Sequence, residues 1–431
     1  MTRPSTIYLE TMGCQMNALD SELVMDQLLS RGYRPTEDLF QADVVVINTC
    51  SVRQHAEDKV HSRIGELSGS RAKNPDQIVA IIGCMAERDG DALLGRKGAV
   101  DVLCGPGDLQ KLPLLLDEAR QTRRPAIALS GKLQGRSTFL PLSDDSDLET
   151  LDRGRSFGLT DHVATPKIFG RHQAYVRITR GCNKYCSFCV VPMTRGPEVH
   201  RPPGSILDEV RRLTAAGVVE VTLLGQTVNH YHYDDDGEET SFADLLKLVH
   251  DRVPDLPRLR FVTSFPRDFT DETLEVMAAS PRICRYLHIP AQSGSNSVLK
   301  RMNRGYTIEQ YLGLLDRARA IMPDISLSGD MIVGFPGESE EDFRLSTDLL
   351  RRAQYKNCYI FKYSPRPGTV AYDRLTDEVP EDVKRRRNND LLAIQSQISL
   401  TRNRSMIDED VEVLVEGPSK RTLKLQESEQ D

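Results

Sequence analysis

Apolar and polar positions in the first hundred residues repeat one pattern three times. A short apolar run is followed by a cysteine and then by a stretch with helical character; the runs are TIYLET, DVVVINT and IVAIIG. The cysteines Cys14, Cys50 and Cys84 lie 36 and 34 residues apart, close to the length of a βαβ unit of roughly 30 or more residues. The continuously apolar VVVI indicates a strand covered on both faces of a parallel sheet. The N-terminal part is therefore predicted to be a doubly wound parallel-sheet α/β domain.

The same domain gathers the three cysteines at one edge of its sheet. A further strand, VDVLCG (100–105), and an apolar helix near 108–120 complete the domain, which is predicted to span residues 1–140. Ligands of doubly wound sheets bind at the carboxyl ends of the strands. A lone cysteine is more often a buried core residue, which is the interpretation given to Cys104, Cys284 and Cys358. The shared position of the other three favours a joint site.

Alternation of strands and helices stops and then restarts further along the chain. Residues 141–171 are mostly polar and without periodicity, as expected of a linker. From Ala174 there are six candidate strands: AYVRIT, VVEVTLLG, RLRFVTS, RYLHIP, ISLSGDMIVG and NCYIFKYS. Six βα steps predict a partial (β/α)6 barrel over 172–403, whose active site would lie at the carboxyl ends of its strands.

Composition excludes some classes of protein. With 431 residues, 39% hydrophobic and 28% charged, the chain is typical of a globular protein of two or three domains. Its longest apolar stretch is too short to cross a membrane, and nine cysteines suit metal binding in a reducing compartment better than a disulfide framework. We therefore expect a cytoplasmic protein. The net charge of −7 argues only weakly against a nucleic-acid partner, because binding depends on local patches.

A second set of cysteines lies in the first loop at the carboxyl-end face of the predicted barrel. RGCNKYCSFC places Cys182, Cys186 and Cys189 within eight residues. Closely spaced thiolates suit zinc or an iron–sulfur cluster. A structural zinc site needs four ligands, so a distant one such as His200 would have to complete it. A cubane held by three cysteines instead leaves one iron free to bind a substrate or cofactor.

The C-x3-C-x2-C spacing, with an aromatic residue before the last cysteine, resembles the signature of radical S-adenosylmethionine enzymes. The resemblance implies a [4Fe-4S] cluster whose open iron chelates S-adenosylmethionine and whose electron generates a 5′-deoxyadenosyl radical. It implies that Phe188 packs against the adenine, and that Gly225 and Gln226 of LLGQ replace the Gly-Gly-Glu that often receives the cofactor's amino group. Gln292 and Ser293 are further cofactor-binding candidates.

Two cysteine sets in two α/β domains resemble the methylthiotransferase family over nearly the whole chain. The blocks that carry the resemblance are GCQMN, NTCSVRQHAEDKV, GCMAER, CVVPMTRG, IPAQSGSNSVLKRMNRGYT and DMIVGFPGE. The resemblance implies methylthiolation of carbon 2 of N6-dimethylallyladenosine at tRNA position 37. It implies two [4Fe-4S] clusters and two S-adenosylmethionine molecules per turnover. The cluster of Cys14, Cys50 and Cys84 would carry the sulfur, and the cluster of Cys182, Cys186 and Cys189 would supply the radical.

Several partners follow from this resemblance. They are an isopentenylated tRNA anticodon stem-loop, a sulfur donor and a reductant such as flavodoxin or ferredoxin. The enzyme itself is expected to be a monomer. Phosphate binding needs cations, for which the candidates are Arg195, Arg201, Lys300, Arg301, Arg304 and the run Lys384 to Arg387. The segment 404–431 resembles the opening of the family's small β-barrel RNA-binding module, called TRAM, but is too short to close a barrel.

Other functions compete with this interpretation. Within the family, the substrate could be a threonylcarbamoyl-adenosine of tRNA or an aspartate of a ribosomal protein. A two-cluster electron-transfer protein is a hypothesis from another class, but electron carriers usually have four protein ligands per cluster. A pure RNA-binding protein would not need six cysteines at the ends of strands.

Overall fold

The fold is known from a computed structural model that describes residues 5–51, 54–71, 73–95, 98–130, 136–137, 172–419 and 421–422. The predicted linker 141–171 lies outside the described residues. The domain boundaries assigned above stay predictions. Within the described part of the chain, no helix has the length and apolar character needed to cross a membrane.

The N-terminal domain is a seven-stranded sheet. Its strands are β1 (Thr6–Met12), β2 (Arg34–Pro35), β3 (Val44–Thr49), β4 (Ile78–Gly83), β5 (Val102–Cys104), β6 (Ala126–Leu129) and β7 (Arg136–Ser137). The strand order is β2-β1-β3-β4-β5-β6-β7, and only β7 is antiparallel to its neighbour. The chain thus reverses direction across the sheet between β1 and β3. This is the switch point of a doubly wound sheet, and the predicted fold class is confirmed.

Helices cover both faces of this sheet. They are α1 (Gln15–Ser30), α2 (Gln54–Ser70), α3 (Cys84–Asp89), α4 (Asp91–Leu94) and α5 (Leu112–Thr122). Val44 and Val46 of β3 pack in the core formed with α1 and α5, whereas Val45 and Ile47 pack in the core formed with α2 and α3. Because side chains alternate between the faces of a strand, a strand buried on both faces must be continuously apolar, as the run VVVI is.

Six further parallel strands form the second domain. They are β8 (Gln173–Arg177), β11 (Glu220–Leu224), β14 (Arg258–Val262), β15 (Tyr286–His288), β16 (Ser326–Val333) and β17 (Asn357–Lys362). Pairing runs β8-β11-β14 and β15-β16-β17, and an isolated bridge from Leu259 to Ile283 joins the two groups. Strands that are neighbours in sequence are thus neighbours in space. This is the order of a (β/α) barrel, and it confirms the predicted partial barrel.

Short strands and helices complete this domain. The additional strands are β9 (Thr179–Arg180), β10 (Val199–His200), β12 (His232–Asp235) and β13 (Glu238–Ser241). The helices are α6 (Val191–Thr194), α7 (Pro203–Ala215), α8 (Phe242–Arg252), α9 (Asp271–Ala279), α10 (Asn296–Arg301), α11 (Ile308–Ile321), α12 (Glu340–Ala353), α13 (Val370–Arg374) and α14 (Glu381–Arg404). Capping boxes begin α8 at Ser241, α11 at Thr307 and α12 at Ser339, which satisfies backbone N–H groups that a helix start leaves unpaired.

The two domains pack against each other through apolar side chains of the barrel strands. Leu224, at the end of β11, is buried in the core that contains α1, and Tyr175 and Val262 pack against the same core. The carboxyl ends of both sheets therefore face a common interface, which brings their loops together.

The C-terminal segment departs from its predicted β character. Among the described residues after α14, no strand forms, and Val411, Val413 and Val415 are exposed. The intervening Glu412 pairs with Arg258 of β14, and Glu416 accepts a hydrogen bond from Gln173 of β8. The alternation of valine and glutamate is that of a strand, but a strand requires a hydrogen-bonding partner, and the described chain offers none there.

Replacing Ile81 by alanine tests the core of the N-terminal sheet. Ile81 is fully buried in β4, so the variant is expected to lose about 3 kcal/mol of unfolding free energy through lost burial and a cavity. Urea unfolding measures the loss. Val413→Ala, at a side chain that is 69% exposed, is the matched control and should change stability by less than about 0.5 kcal/mol. Equal losses in both variants would contradict the fold described here.

Candidate active site

The first cysteine set lies at the switch point of the N-terminal sheet. Cys14 follows β1, Cys50 follows β3 and Cys84 follows β4, all at the carboxyl ends of the strands. Cys50 and Cys84 are buried and Cys14 is partly buried. The structure thus places the three predicted residues in one region, where doubly wound sheets bind their ligands.

Two asparagines fix the positions of these loops. The side-chain amide of Asn17 donates to Asn48 Oδ1 at 2.9 Å, and the amide of Asn48 donates to the Asn17 carbonyl at 2.8 Å. Asn17 Oδ1 also accepts from the Cys14 backbone N–H and lies 3.3 Å from Cys14 Sγ. Both asparagines are fully buried. This reciprocal pair ties the start of α1 to the end of β3 and so holds Cys14 beside Cys50.

The environment of these thiols differs from one to the next. A hydrogen bond with Cys50 lowers the pKa of Cys14 to about 5, against the opposing effect of burial. Burial raises the pKa of Cys84, and the nearby Arg195 guanidinium opposes that rise. Thiolates are the form of cysteine that binds metals, so a group that brings its own positive charge would complete the site.

The second cysteine set occupies the loop between β9 and α6. Gly181, with φ of +76°, starts this loop, and a Cβ atom there would collide with the Pro197 carbonyl oxygen. The Cys189 N–H donates to the Cys186 carbonyl at 3.0 Å, which turns the loop back on itself. Burial raises the pKa of Cys189 to about 12, with Cys186 and Cys182 contributing in the same direction. The three predicted thiols are thus close enough to influence one another.

Ligand number distinguishes a cluster from a zinc ion. A structural zinc ion takes four protein ligands. Among the described residues, the group of ligand atoms that lies within 4.8 Å contains no cysteine. Three thiolates suit a four-iron cluster with one open iron. His200, the residue that could have completed a zinc site with these cysteines, is grouped with Glu198 and His230 instead.

Arg195 connects the two cysteine sets. It lies six residues after Cys189, yet its Nε donates to Cys84 Sγ at 3.2 Å and its Nη2 to Asp20 of α1 at 2.8 Å. The Arg195 side chain is 2% exposed and that of Asp20 is 1% exposed. Its Nη1 is buried and has no partner among the described residues. This N–H group could donate a hydrogen bond to a sulfide of an iron–sulfur cluster. The site therefore fits such a cluster.

A second buried ion pair joins the domains near Cys50. Glu57 of α2 accepts from Arg88 of α3 at 2.8 Å and from Arg366, beyond β17, at 2.5 Å. Their side chains are each 7% exposed. Because Arg366 crosses the interface to a carboxylate that Arg88 also holds, the Glu57–Arg366 pair orients the end of the barrel relative to the first cysteine set.

Residues expected to bind the cofactor surround the second set. A Cβ atom at Gly225, after β11, would collide with Thr179 Oγ1, which is buried without a partner in the described chain. Gln226 is half-buried beside it. Phe188 packs edge-on against Phe335, with ring centroids 6.4 Å apart, on a small apolar cluster. The absence of a side chain at Gly225 lets Thr179 pack directly against the backbone after β11.

Gln292 and Ser293 make hydrogen bonds that hold their own loop in place. Gln292 has φ of +75°, and its backbone bridges to β16 through Asp330 and Ile332. The fully buried Ser293 hydroxyl accepts from the Ser295 N–H at 3.2 Å. The roles assigned to these cofactor candidates stay predictions.

Most of the predicted phosphate-binding cations have hydrogen-bond or ion-pair partners within the protein. Arg304 is buried and donates to Cys186 Sγ at 3.3 Å and to the Pro290 carbonyl at 2.8 Å. Lys384 pairs with Asp377, Arg387 with Glu338, and Arg201 with Glu209. Arg195, Arg304, Lys384 and Arg387 are buried, so the expectation of phosphate contacts was wrong for these four residues. Arg201 is half-buried, and its role stays a prediction. Lys300, Arg385 and Arg386 are exposed, and Arg301 is half-buried.

Two arginines therefore make contacts with the cysteine sets that the sequence did not indicate. Arg195 and Arg304 each donate to a cysteine sulfur of one set. The only sequence signal was their position within the blocks CVVPMTRG and LKRMNRG. Of the three cysteines assigned to the core, Cys104 and Cys358 are buried, whereas Cys284 is only partly buried.

Comparison with known sequences identifies the family. The profile of Uncharacterized protein family UPF0004 matches residues 6–105, and that of the Radical SAM superfamily matches residues 176–350. The tRNA-2-methylthio-N(6)-dimethylallyladenosine synthase of Rhodopirellula baltica is 44% identical over 421 residues, which cover 97% of this chain and 85% of that protein. The chain belongs to this synthase family. The synthase of Moorella thermoacetica is 43% identical over 96% of this chain and 88% of its own length.

Solved structures support the fold of a member of this synthase family. The radical S-adenosylmethionine methyltransferase TsrM of Kitasatospora setae superposes with a TM-score of 0.61 over 86% of this chain and 74% of its own, at 17% identity. The cobalamin-dependent S-adenosylmethionine radical enzyme OxsB has a TM-score of 0.55 over 99% of this chain and 62% of its own, at 14% identity. A doubly wound domain joined to a radical S-adenosylmethionine domain is thus a known arrangement.

Breaking the Arg195–Asp20 pair tests the link between the cysteine sets. Arg195→Met leaves the Asp20 carboxylate buried alone, so it is expected to cost about 3–5 kcal/mol of unfolding free energy. Because removing both charges removes that penalty, the Arg195→Met/Asp20→Leu variant should recover most of the loss. Denaturant unfolding under anaerobic conditions measures both.

Arg211→Met is the control for this experiment. Arg211 pairs with Asp208 on the surface, where the side chains are 47% and 64% exposed, and such pairs contribute about 0–1 kcal/mol. The link would be refuted by an Arg195→Met variant no less stable than Arg211→Met.

Proposed function

We propose that the protein methylthiolates carbon 2 of N6-dimethylallyladenosine at position 37 of tRNA. The observation that carries the proposal is the contact of Arg195, from the second cysteine loop, with Cys84 of the first set. It brings two sets of three thiols to one interface in a chain whose relatives are named for this synthesis. An electron carrier would have no reason to leave both clusters short of a protein ligand.

The six cysteines would hold two [4Fe-4S] clusters. The first would be bound by Cys14, Cys50 and Cys84, and the second by Cys182, Cys186 and Cys189. When bound, they supply the sulfur carrier and the one-electron cleavage of S-adenosylmethionine, two molecules of which are consumed per turnover.

The residues of the chain position these groups. Arg195 neutralises charge at the first set and keeps its distance from the second set fixed through Asp20. Arg304 donates to Cys186 Sγ while it stacks on Phe265, with its guanidinium 4.5 Å from the ring centroid. Both arginines are buried. Gly225, Gln226 and Phe188 would contact S-adenosylmethionine, as would Gln292 and Ser293.

The partners follow from the reaction. The substrate is an isopentenylated anticodon stem-loop, and the reaction needs a sulfur donor and a low-potential reductant such as flavodoxin or ferredoxin. We propose a monomer that acts in the cytoplasm. The exposed cations that remain candidates for phosphate contacts are Lys300 and Arg385, together with Arg386, whose charge is paired with Glu340.

Mass spectrometry of tRNA nucleosides tests this function. The cluster-reconstituted protein is incubated anaerobically with isopentenylated tRNA, S-adenosylmethionine, a sulfide source and dithionite. We expect 2-methylthio-N6-dimethylallyladenosine in the digested tRNA. Replacing Cys14, Cys50 and Cys84 together by alanine should abolish it, because the sulfur carrier is lost, yet leave 5′-deoxyadenosine formation by the second set.

Cys284→Ala is the matched control, since Cys284 is a partly exposed cysteine outside both sets. It should retain the product. Unmodified tRNA alongside normal 5′-deoxyadenosine formation would mean a different substrate, and product formed by the triple variant would refute the division of labour between the clusters.

A further inference from the structure

A third group of ligating side chains lies beside the second cysteine set. One ligand atom each from Glu198, His200 and His230 lies within 4.8 Å of the other two. Glu198 and His200 come from the short antiparallel pairing of β9 with β10, and His230 comes from the loop after β11. The proposed methylthiolation uses none of these three side chains.

Glu198 is a carboxylate without access to solvent. Its side chain is 0% exposed. One oxygen accepts from Thr227 Oγ1 at 3.0 Å, and the other lies 2.6 Å from His230 Nδ1. The two nearest arginines in sequence, Arg195 and Arg201, pair with Asp20 and Glu209 instead. A buried carboxylate is costly unless its charge is balanced, and in this group only imidazoles face it.

The imidazole ring of His200 has a nitrogen without a hydrogen-bond partner among the described residues. This nitrogen is Nδ1, and it is buried. The ring packs edge-on against Tyr231, with centroids 5.6 Å apart, and the His230 ring centroid is 6.2 Å away. Burial lowers the pKa of His200, although Glu198 opposes the change. A neutral imidazole is the form that binds metals.

We propose that Glu198, His200 and His230 bind one divalent transition-metal ion, with zinc as the expected occupant. Two imidazole nitrogens and one carboxylate oxygen match a set of three protein ligands that zinc uses, with a water in the fourth position. The ion would replace the proton shared by His230 and Glu198 and would balance the buried carboxylate. It would take one ring nitrogen of His200 as its third protein ligand.

The position of this ion beside the second cysteine set indicates that it stabilises the loops around that set. Thr227 donates to Glu198 at 3.0 Å, and its side chain is hydrogen-bonded to Cys182. Thr227 also directly follows Gly225 and Gln226. A metal ion there would cross-link the β9–β10 pairing to the loop after β11, on both sides of the second cysteine set. Outer-shell partners such as Thr227 orient the first-shell ligands of metal sites.

Elemental analysis and zinc titration of the cluster-reconstituted protein test the proposal. After incubation with zinc sulfate and gel filtration, we expect one zinc per chain in addition to the cluster iron. Zinc K-edge X-ray absorption should show nitrogen and oxygen neighbours only. His200→Ala and His230→Ala should each weaken zinc binding about 100-fold or more, because each removes one of three protein ligands. His172→Ala, at an exposed histidine outside the group, should bind zinc as the unmodified protein does.

Three outcomes would overturn the proposal. They are the absence of zinc from the unmodified protein, sulfur neighbours in the absorption spectrum, and unchanged zinc affinity in both histidine variants. His230 has a side chain 41% exposed, so its variant should fold normally, with unchanged circular dichroism and iron content. Methylthiolation is not the readout, so the proposal can fail without affecting the proposed function, and the reverse also holds.

Discussion

The buried contact of Arg195 with Asp20 and Cys84 is the interaction on which this architecture depends. A guanidinium group is stable away from water only if its charge is paired. Asp20 of the first domain supplies the charge, and Cys84 Sγ accepts a second hydrogen bond. Because Arg195 belongs to the loop of the second cysteine set, the barrel cannot shift relative to the first set without leaving a buried charge unpaired.

Topology explains why cysteines far apart in sequence form compact sets. The first set uses the reversal of strand order between β1 and β3, which opens a crevice at the carboxyl ends of the strands. The second set needs only one loop, closed by Gly181 and by the turn from Cys186 to Cys189. Both sheets present their carboxyl ends to the same interface.

Sequence patterns were sufficient to predict the strands and the position of the thiols along the fold. Strands follow from local periodicity, and the thiols follow directly after strands. All six barrel strands and the strands preceding Cys14, Cys50 and Cys84 lie where the apolar runs predicted them. Charged side chains were harder to interpret. Arg195, Arg304 and Lys384 resemble surface cations in sequence, but each is buried by partners that only the fold brings close. The resemblance of the C-terminal segment to a small β-barrel module predicted β structure there, yet a strand needs a neighbour to pair with.

The central claim is that the two cysteine sets form one site, and electron paramagnetic resonance of the fully reduced protein tests it most directly. With both clusters reduced, the account predicts a spectrum altered by magnetic interaction between them, which reverts to that of a single cluster when Cys14, Cys50 and Cys84 are replaced by alanine. A spectrum equal to the simple sum of two isolated clusters would contradict the account.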